Sequence, residues 1–332
     1  MFNFVLFFFF YLLIILATLQ FSKILNLYDI PHARKLHKLK VVNTGGISFY
    51  IFLFFIVLKY EYSYHLELII SYGFLALLFG SLDDKRAMSA SIKLLLIMIP
   101  CALLLQKGYY ISDLGNYEYV GLISLGKYSL IFNILAIFLL INSCNYIDGL
   151  DGLLTSFFIT SLIYILFLID NSNNKDLLFI MIIPLSINLF FNFMTPNSNL
   201  KIFLGNGGSL FIGFFLSFLI IYLYKYEKIH PSYLIWICWY PIFDFLFVTK
   251  KRLINKKKFY LADKNHFHHF ILKESKNSHF YAVTKITIIN ILVIIAGYQT
   301  AQIFGKLYSL ALFILLYFLF WFIRDNQNSF KF

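Results

Sequence analysis

Two pairs of aspartates have the residue type and spacing that phosphoryl-transfer chemistry needs. Asp83 and Asp84 are adjacent and follow an apolar segment, whereas Asp148 and Asp151 are three residues apart and are each followed by glycine. On a helix, the second spacing would bring both carboxylates to one face. Paired carboxylates can hold Mg²⁺ or take a proton from a phosphate or hydroxyl group. Each pair also has a purely structural interpretation, as a solvated loop start and as an Asx-rich turn, respectively.

Three further clusters could bind the anionic part of a substrate. The glycine-rich stretch 203–209 leads into an apolar run, and the backbone N–H groups of such a turn suit phosphate. The stretch 263–269 carries three histidines but lacks the acidic or cysteine ligands that usually accompany them at zinc. Arg34, Lys35 and His37 form a compact cationic group that suits diphosphate or lipid phosphate. Each cluster also has a simpler interpretation. The glycine-rich stretch could be a flexible loop, the histidine stretch a solvated basic loop, and the cationic group part of the positive-inside charge bias of a membrane protein.

Membrane-spanning helices must position these clusters, because the chain is far more apolar than a soluble domain. Of its 332 residues, 60% are hydrophobic and 13% are charged, whereas soluble domains are about half apolar and about a quarter charged. Apolar runs of about 20 residues predict transmembrane helices, and we find about eleven. They lie near residues 1–21, 44–59, 65–82, 91–106, 128–143, 153–170, 177–195, 207–224, 231–249, 282–304 and 307–324. The sequence therefore predicts an all-α, polytopic transmembrane helix bundle that forms one domain over residues 1–332.

The positive charges predict how this bundle is oriented. With eleven spans, alternate loops fall on opposite sides, and most Lys and Arg residues fall on the side that also holds all the clusters above. Basic loops stay in the cytoplasm, so the candidate chemistry is expected at the cytoplasmic face and the N-terminus outside. The net charge of +12 fits anionic lipids and phosphate ligands. Nucleic acid is not an expected partner, because no binding motif accompanies the charge.

The order of the clusters resembles that of the polyprenyl-phosphate N-acetylhexosamine-1-phosphate transferases, membrane relatives of the phospho-N-acetylmuramoyl-pentapeptide transferase. The stretch 142–152 carries the resemblance most specifically, followed by the histidines of 266–269 and the double aspartate. The resemblance implies transfer of sugar 1-phosphate from a UDP-N-acetylhexosamine to undecaprenyl phosphate, with release of UMP. It also implies Mg²⁺ as the cofactor, with Mn²⁺ as an alternative, a bacterial cytoplasmic (inner) membrane location and a homodimer. Phe270, after the paired histidines, favours the GlcNAc-1-phosphate branch, whose members start O-antigen, capsule or teichoic-acid glycans.

The same resemblance implies roles for individual residues. The expected catalytic residues are Asp83, Asp84, Asp148 and Asp151. The expected metal ligands are Asp83, Asp84, Asn145, Asp151 and Asn206. The expected substrate contacts are Arg34, Lys35, His37, Asn192, Phe203, His266, His268 and His269. Direct attack by the lipid phosphate and a covalent aspartyl intermediate remain open alternatives.

Asn206 departs from the family pattern, in which an aspartate usually stands at this position. An amide oxygen still binds a hard cation, but one negative charge is lost. Two hypotheses follow: the site works with its four remaining aspartates, which we favour, or the protein is a catalytically weakened relative or a scaffold of the glycan-assembly machinery. A lipid-linked sugar transporter is an alternative of a different class. Transporters, however, place their ionisable residues near the bilayer midplane.

Overall fold

A computed structural model describes residues 4–29, 40–60, 64–170, 172–194, 200–256 and 265–329. Within these residues the chain forms twelve α-helices, one 3₁₀ turn and two small antiparallel sheets of two strands each. The helices are α1 (Phe4–Leu25), α2 (Gly45–Tyr60), α3 (Tyr64–Lys85), α4 (Ala90–Gln106), α5 (Ser129–Ile147), α6 (Leu153–Leu168), α7 (Ser172–Asn192), α8 (Gly205–Lys225), α9 (Pro231–Ile254), α10 (Phe267–Glu274), α11 (His279–Ile303) and α12 (Lys306–Ser329). The strands are β1 (Tyr28–Asp29), β2 (Val41–Val42), β3 (Asp113–Tyr117) and β4 (Gly121–Ser124).

A helix covers each of the eleven apolar runs, and the predicted all-α polytopic bundle is confirmed. In the described ranges, eight helices are long and apolar enough to cross a membrane, and the apolar helices α2, α4 and α6 are shorter. The number of spans therefore stays a prediction. Helix α10 lies in a segment that the sequence assigned to a loop, and it buries His268, Ile271 and Leu272.

Helix α8 is the central element of the bundle. Its apolar window is 83% buried, more than that of any other candidate span among the described residues. A Cβ on Gly46 of α2 would lie 2.1 Å from the Cα of Gly208, and a Cβ on Gly80 of α3 would lie 2.4 Å from the backbone oxygen of Asn206. Small residues let membrane helices bring their backbones together. The first turn of α8 is therefore held directly against α2 and α3.

The helices at the edge of the bundle bury much less of their surface. Only 6% of the apolar window of α12 is buried, and 28% of that of α1. Helix α12 contacts α9 through aromatic side chains, with the ring centroid of Phe243 at 4.9 Å from that of Phe313 and 5.2 Å from that of Tyr317. Lipid is the natural solvent for the remaining apolar face of α12.

A polar hairpin covers the end of the bundle that lies opposite the first turn of α8. Strands β3 and β4 follow the end of α4, whereas the acidic pair at 83–84 precedes the start of α4. Asp113 of β3 accepts hydrogen bonds from the hydroxyls of Tyr224 (2.5 Å) and Ser112 (2.9 Å) and from the backbone N–H of Gly115 (3.0 Å). These contacts fix the hairpin to the last turn of α8, at the opposite end of that helix from Asn206.

Candidate active site

Asp83 lies in the last turn of helix α3, within a network of hydrogen bonds. Its Oδ2 accepts from the ammonium group of Lys93 (2.8 Å) and from the side-chain amide of Asn206 (3.0 Å), and its Oδ1 accepts from the backbone N–H of Met88 (2.9 Å). The carboxylate is therefore paired with a cation on α4. An ionisable residue inside an apolar run is expensive and usually functional, and this is the sequence signal by which Lys93 could have been found.

Asn145 and Asn206 join helices α5 and α8 beside this carboxylate. The side-chain N–H₂ of Asn145 donates to Oδ1 of Asn206 (2.9 Å) and to Oγ of Ser209 (2.6 Å), while its own Oδ1 accepts from Lys93 (3.4 Å). Asn206 thus uses both ends of its amide, since its nitrogen donates to Asp83. Its orientation is fixed by the network, and two of the expected metal ligands hold each other in place.

Asp84 faces the glycine-rich start of α8. Its Oδ2 accepts from the backbone N–H of Gly207 at 3.3 Å. The same oxygen lies 2.6 Å from the position that a Cβ would take at Gly205, whose φ is +74°. Gly205 is therefore required twice, for a conformation that L-residues rarely adopt and for the close approach of the carboxylate. The motif 203–209 receives a carboxylate here, so its backbone N–H groups serve an acid of the chain itself.

Asp148 follows the last residue of α5 and lies close to two other acids. Its partial burial and the negative charges of Asp84 and Asp151 raise the pKa of its carboxyl group to about 7. In the part of the chain that the structure describes, neither Asp84 nor Asp148 forms an ion pair. These two neighbouring carboxylates thus lack an ion-pair partner among the described residues.

Asp151, in contrast, is paired with two basic side chains. The ammonium group of Lys201 lies 2.7 Å from its Oδ2, and Nδ1 of His279 lies 3.1 Å from the same oxygen. Burial alone would raise the pKa of this carboxyl group, but the hydrogen bonds and positive charges of His279 and Lys201 lower it below its usual value. The sequence analysis did not include Lys201 or His279, although Lys201 lies two residues before Phe203.

The histidine segment is joined to an acid that is distant in the sequence. Asp244 of α9 accepts a hydrogen bond from Nδ1–H of His266 at 2.8 Å, and Nε2 of His266 lies 3.4 Å from Nη2 of Arg252. Asp244, His266 and His268 form the one group of three metal-ligating side chains found among the described residues. The expectation that these histidines lack a supporting acid was therefore wrong, because the acid comes from another helix. The cationic Arg252 favours a hydrogen-bonded cluster here over a metal ion.

His268 connects this cluster to the loop of Asp148 and Asp151. A Cβ on Gly149 would lie 2.5 Å from Nε2 of His268, so the absence of a side chain at Gly149 gives the imidazole room to lie against this backbone. Burial and, to a smaller extent, electrostatic interactions with its neighbours, foremost His266 and His269, lower the pKa of His268 well below its usual value. His268 is therefore a neutral imidazole, and no hydrogen-bond partner for its buried Nδ1 is found in the described ranges.

Phe203 and Asn192 lie at the edge of the same region. The backbone of Phe203 donates to the carbonyl of Val42 (2.8 Å) and accepts from Gly45 (2.9 Å), and the ammonium group of Lys201 lies 5.4 Å from the centroid of its ring. The amide nitrogen of Asn192 donates to Ile202 at 2.7 Å. Its buried Oδ1 has no partner in the described portion of the chain, so an acceptor is available there.

The predicted site residues are thus largely brought together. Asp83, Asp84, Asn145 and Asn206 form one cluster, which the loop 148–151 connects to the histidines. Arg34, Lys35 and His37 lie outside the described residues.

The sequence is similar to that of known proteins over most of its length. The sequence model of glycosyl transferase family 4 matches residues 66–224. The undecaprenyl-phosphate alpha-N-acetylglucosaminyl 1-phosphate transferase of Yersinia pestis is 26% identical over 305 residues, which cover 89% of this chain and 83% of the relative. The protein of the same name from Escherichia coli (strain K12) is 26% identical over 309 residues, or 90% and 84%. A probable undecaprenyl-phosphate N-acetylglucosaminyl 1-phosphate transferase of Bacillus subtilis (strain 168) is 29% identical over 251 residues, or 74% and 69%.

The family match covers α3 to α8, and with them the acids, the two asparagines and the glycine-rich turn described above. The longer alignments extend the likeness to most of the chain. The chain is thus a multi-pass membrane protein that is similar to glycosyl transferase family 4 over residues 66–224 and to named sugar-1-phosphate transferases over most of its length.

Proposed function

We propose that the protein transfers N-acetylhexosamine 1-phosphate from a UDP-sugar to undecaprenyl phosphate and releases UMP. An oxygen of the lipid phosphate forms a bond to the phosphorus that carries the sugar. The bond from that phosphorus to the oxygen bridging the two phosphates of the donor breaks, and UMP leaves with this oxygen. The products are a polyprenyl-diphosphate-linked sugar and UMP. The names of its relatives specify an N-acetylglucosaminyl 1-phosphate group, which favours GlcNAc as the sugar that is transferred.

One observation carries this proposal. The carboxylates of Asp84 and Asp148 lie close together without an ion-pair partner among the described residues, beside a network that fixes Asp83, Asn145 and Asn206. Phosphoryl transfer needs positioned oxygen ligands and cations around a highly charged diphosphate. Here, Lys93 and Lys201 supply cations to the flanking acids, while the acids between them are open to an exogenous cation.

The donor set fits Mg²⁺, with Mn²⁺ as an alternative. Hard cations take carboxylate and amide oxygens, and the proposed ligands are Asp83, Asp84, Asn145, Asp151 and Asn206. Asp84 fits best, because it is not held by a cationic side chain in the described ranges, whereas Asp151 is paired with Lys201. When bound, the metal would neutralise oxygens of the diphosphate and orient it for attack.

The groups around the acids suit the UDP-sugar. The free acceptor Oδ1 of Asn192, the ring of Phe203 and the neutral imidazole of His268 can contact its uncharged parts. His266 and His269 flank His268, at ring-centroid distances of 5.4 and 4.3 Å. We also assign Arg34, Lys35 and His37 to the binding of phosphate, on their charge and on the family resemblance.

The acids can prepare the acceptor as well as the metal. Asp148, with a pKa of about 7, can hold or release a proton at neutral pH. A carboxylate in this state can take the proton of a lipid phosphate before attack. Asp84 lies close enough to Asp148 to raise the pKa of its carboxyl group, so both acids can contact the same bound phosphate. We place the reaction at the cytoplasmic face of the bacterial inner membrane, as the first membrane step of an envelope glycan.

The remaining alternatives are weighed by the positions of the acids. Asp83 and Asp84 end α3, and Asp148 follows α5, so these acids lie at helix ends and not at the middle of spans. This distribution disfavours the transporter. A weakened enzyme or scaffold is favoured only by Asn206, whose amide is bound at both ends by the network.

The test is turnover by the purified protein in detergent. Undecaprenyl phosphate, Mg²⁺ and a panel of UDP-N-acetylhexosamines are supplied, and UMP release is measured. We expect release with one sugar and its loss in Asp84→Asn and Asp151→Asn. Glu67→Gln, which changes an exposed acid at the other end of α3, is the matched control. UMP release that continues in both site variants would contradict the proposal.

A further inference from the structure

Helix α12 carries one buried charge on an otherwise exposed helix. Only 6% of its apolar window is buried, yet Arg324 is 3% exposed. Beside it, Asp325 is exposed and lies 3.9 Å from the ammonium group of Lys251. A buried guanidinium group is costly unless it is paired and hydrogen-bonded. The contacts of Arg324 should therefore show what the charge does.

Between them, Arg324 and Asp244 bind three consecutive residues of the histidine segment. Nη2 of Arg324 donates to the carbonyl oxygen of Asn265 at 2.8 Å. The carboxylate of Asp244, which is fully buried, accepts from Nδ1–H of His266 at 2.8 Å and from the backbone N–H of Phe267 at 2.7 Å. Asp244 also interacts electrostatically with Arg324. Two helices that are distant in the sequence thus fix residues 265–267.

Arg252 completes this arrangement and defines the tautomer of His266. An arginine can only donate, so Nε2 of His266 is the acceptor for Nη2 of Arg252 at 3.4 Å. The ring proton then lies on Nδ1, where it is donated to Asp244. Both nitrogens of His266 are occupied by charged side chains of the protein. This ring therefore serves chiefly to orient the segment.

Residues 265–267 immediately precede His268 and His269, the last two histidines of the candidate site. His268 reaches Gly149 in the loop between Asp148 and Asp151, and its ring is stacked on His266 at an interplanar angle of 14°. A displacement of residues 265–267 would move His268 away from this loop. Displacements of about 1 Å are large on the scale that catalysis tolerates.

We propose that Asp244 and Arg324 are positioning residues for the binding of the UDP-sugar. They clamp residues 265–267 so that His268 stays against the loop 148–151. The inference rests on the proposed function for its substrate, but not for the clamp itself. It assigns a role in the site to α12, outside the segment that the family model matches. Neither residue touches the reacting atoms, since Asp244 acts through His266 and Phe267 and Arg324 acts through Asn265.

The first test compares Asp244→Asn and Arg324→Met with Arg324→Lys in steady-state kinetics. We expect the KM for the UDP-sugar to rise about tenfold in the first two, as for the loss of one charge-assisted hydrogen bond. The KM for undecaprenyl phosphate should be unchanged. Arg324→Lys keeps a cationic donor and should recover part of the loss. Asp325→Asn, an exposed acid on the same helix, is the matched control and should behave as the wild type.

The second test uses amide hydrogen exchange and does not depend on turnover. Exchange at residues 267–270 should accelerate in Asp244→Asn and in Arg324→Met, but not in Asp325→Asn. The two substitutions together should have about the effect of the stronger one, because both loosen the same segment. Unchanged exchange there, or a loss of kcat with an unchanged KM for the donor, would overturn the clamp. A wild-type protein that does not turn over would refute the proposed function, and the exchange result would still decide the clamp.

Discussion

The two ends of the helix bundle both carry partly buried acids, but the partners of these acids differ. At the hairpin end, both oxygens of Asp113 accept hydrogen bonds from hydroxyl and backbone groups of the protein. At the other end, Asp84 and Asp148 lie together without an ion-pair partner in the described part of the chain. An acid whose two carboxylate oxygens both accept hydrogen bonds from the protein has a structural role. Acids that are brought together and left short of partners indicate a ligand.

The pKa values follow the same division. Burial alone would raise the pKa of Asp113, but hydrogen bonds from Tyr224, Ser112 and Gly115 lower it below its usual value. Partial burial and neighbouring acids instead raise the pKa of Asp148 to about 7. The hairpin end therefore stabilises the carboxylate of Asp113, whereas the site end disfavours the ionised form of Asp148.

The largest expected difference between the two ends is in turnover. Asp84→Asn should lower the rate of UMP release by about a hundredfold or more, because a group that holds the metal or moves a proton is lost. Asp113→Asn should leave the rate unchanged. Both variants are measured at equal amounts of folded protein. Equal losses in the two would remove the functional distinction between the ends.

The pairing of Asp151 predicts a large effect on stability. Lys201→Met should lower the free energy of unfolding by about 2 kcal/mol, because Lys201 is 5% exposed and its removal takes a charge-assisted hydrogen bond from a partly buried carboxylate that then keeps His279 as its basic partner. Lys201→Met combined with Asp151→Asn should recover part of this loss. Thermal unfolding in detergent measures it, with Lys251→Met, which affects an exposed pair, as the control. If the two lysine variants are equally stable, the pair at Asp151 contributes nothing.

Asn206→Asp tests whether the site end depends on a cation. The new carboxylate cannot donate to Asp83, so without metal the protein should lose about 1 to 2 kcal/mol of stability. With Mg²⁺, turnover should be kept or raised and the Mg²⁺ requirement should fall, because the extra charge favours the metal. Melting curves at increasing Mg²⁺ follow both effects. A total loss of turnover with the fold intact would mean that Asn206 has a different task.

The smallest expected effect is on stability at the hairpin end. Asp113→Asn should cost about 1 kcal/mol, the typical net value of a hydrogen bond. Since the pKa of Asp113 is lower in the folded state, the stability it contributes is present above its unfolded pKa of about 4 and is lost as the pH falls through the folded pKa. The difference in melting temperature between variant and wild type should therefore disappear on acidification. A difference that grows on acidification would contradict this sign.

The sequence was sufficient for the helices and for most of the acids of the site. A backbone in lipid must satisfy its own hydrogen bonds, so long apolar runs leave helices as the one simple solution. Asp83, Asp84 and Asp148 could be identified because they occur where apolar runs end. The nearby glycines also indicated the site. Gly205 leaves room for the carboxylate of Asp84, and Gly149 leaves room for the imidazole of His268.

The partners of these acids could not be predicted from the sequence. Lys201 and His279 come to Asp151 from positions 50 and 128 residues away, and Asp244 comes to His266 from another helix. Their spacing follows no period, because helix packing and not local geometry brings them together. Lys93, Asp244 and Arg324 did carry one signal, a charge within an apolar run, but that signal names no partner.

The burial of Arg324 also has a consequence for the biosynthesis of the protein. Arg324 emerges from the ribosome 59 residues after Asn265, whose carbonyl it holds. At about 5 to 20 residues per second this interval lasts about 3 to 12 s. During that time the earlier helices can enter the membrane while residues 265–267 lack their contact from α12. A nascent chain therefore completes the contacts around residues 265–267 only after α12 has been inserted.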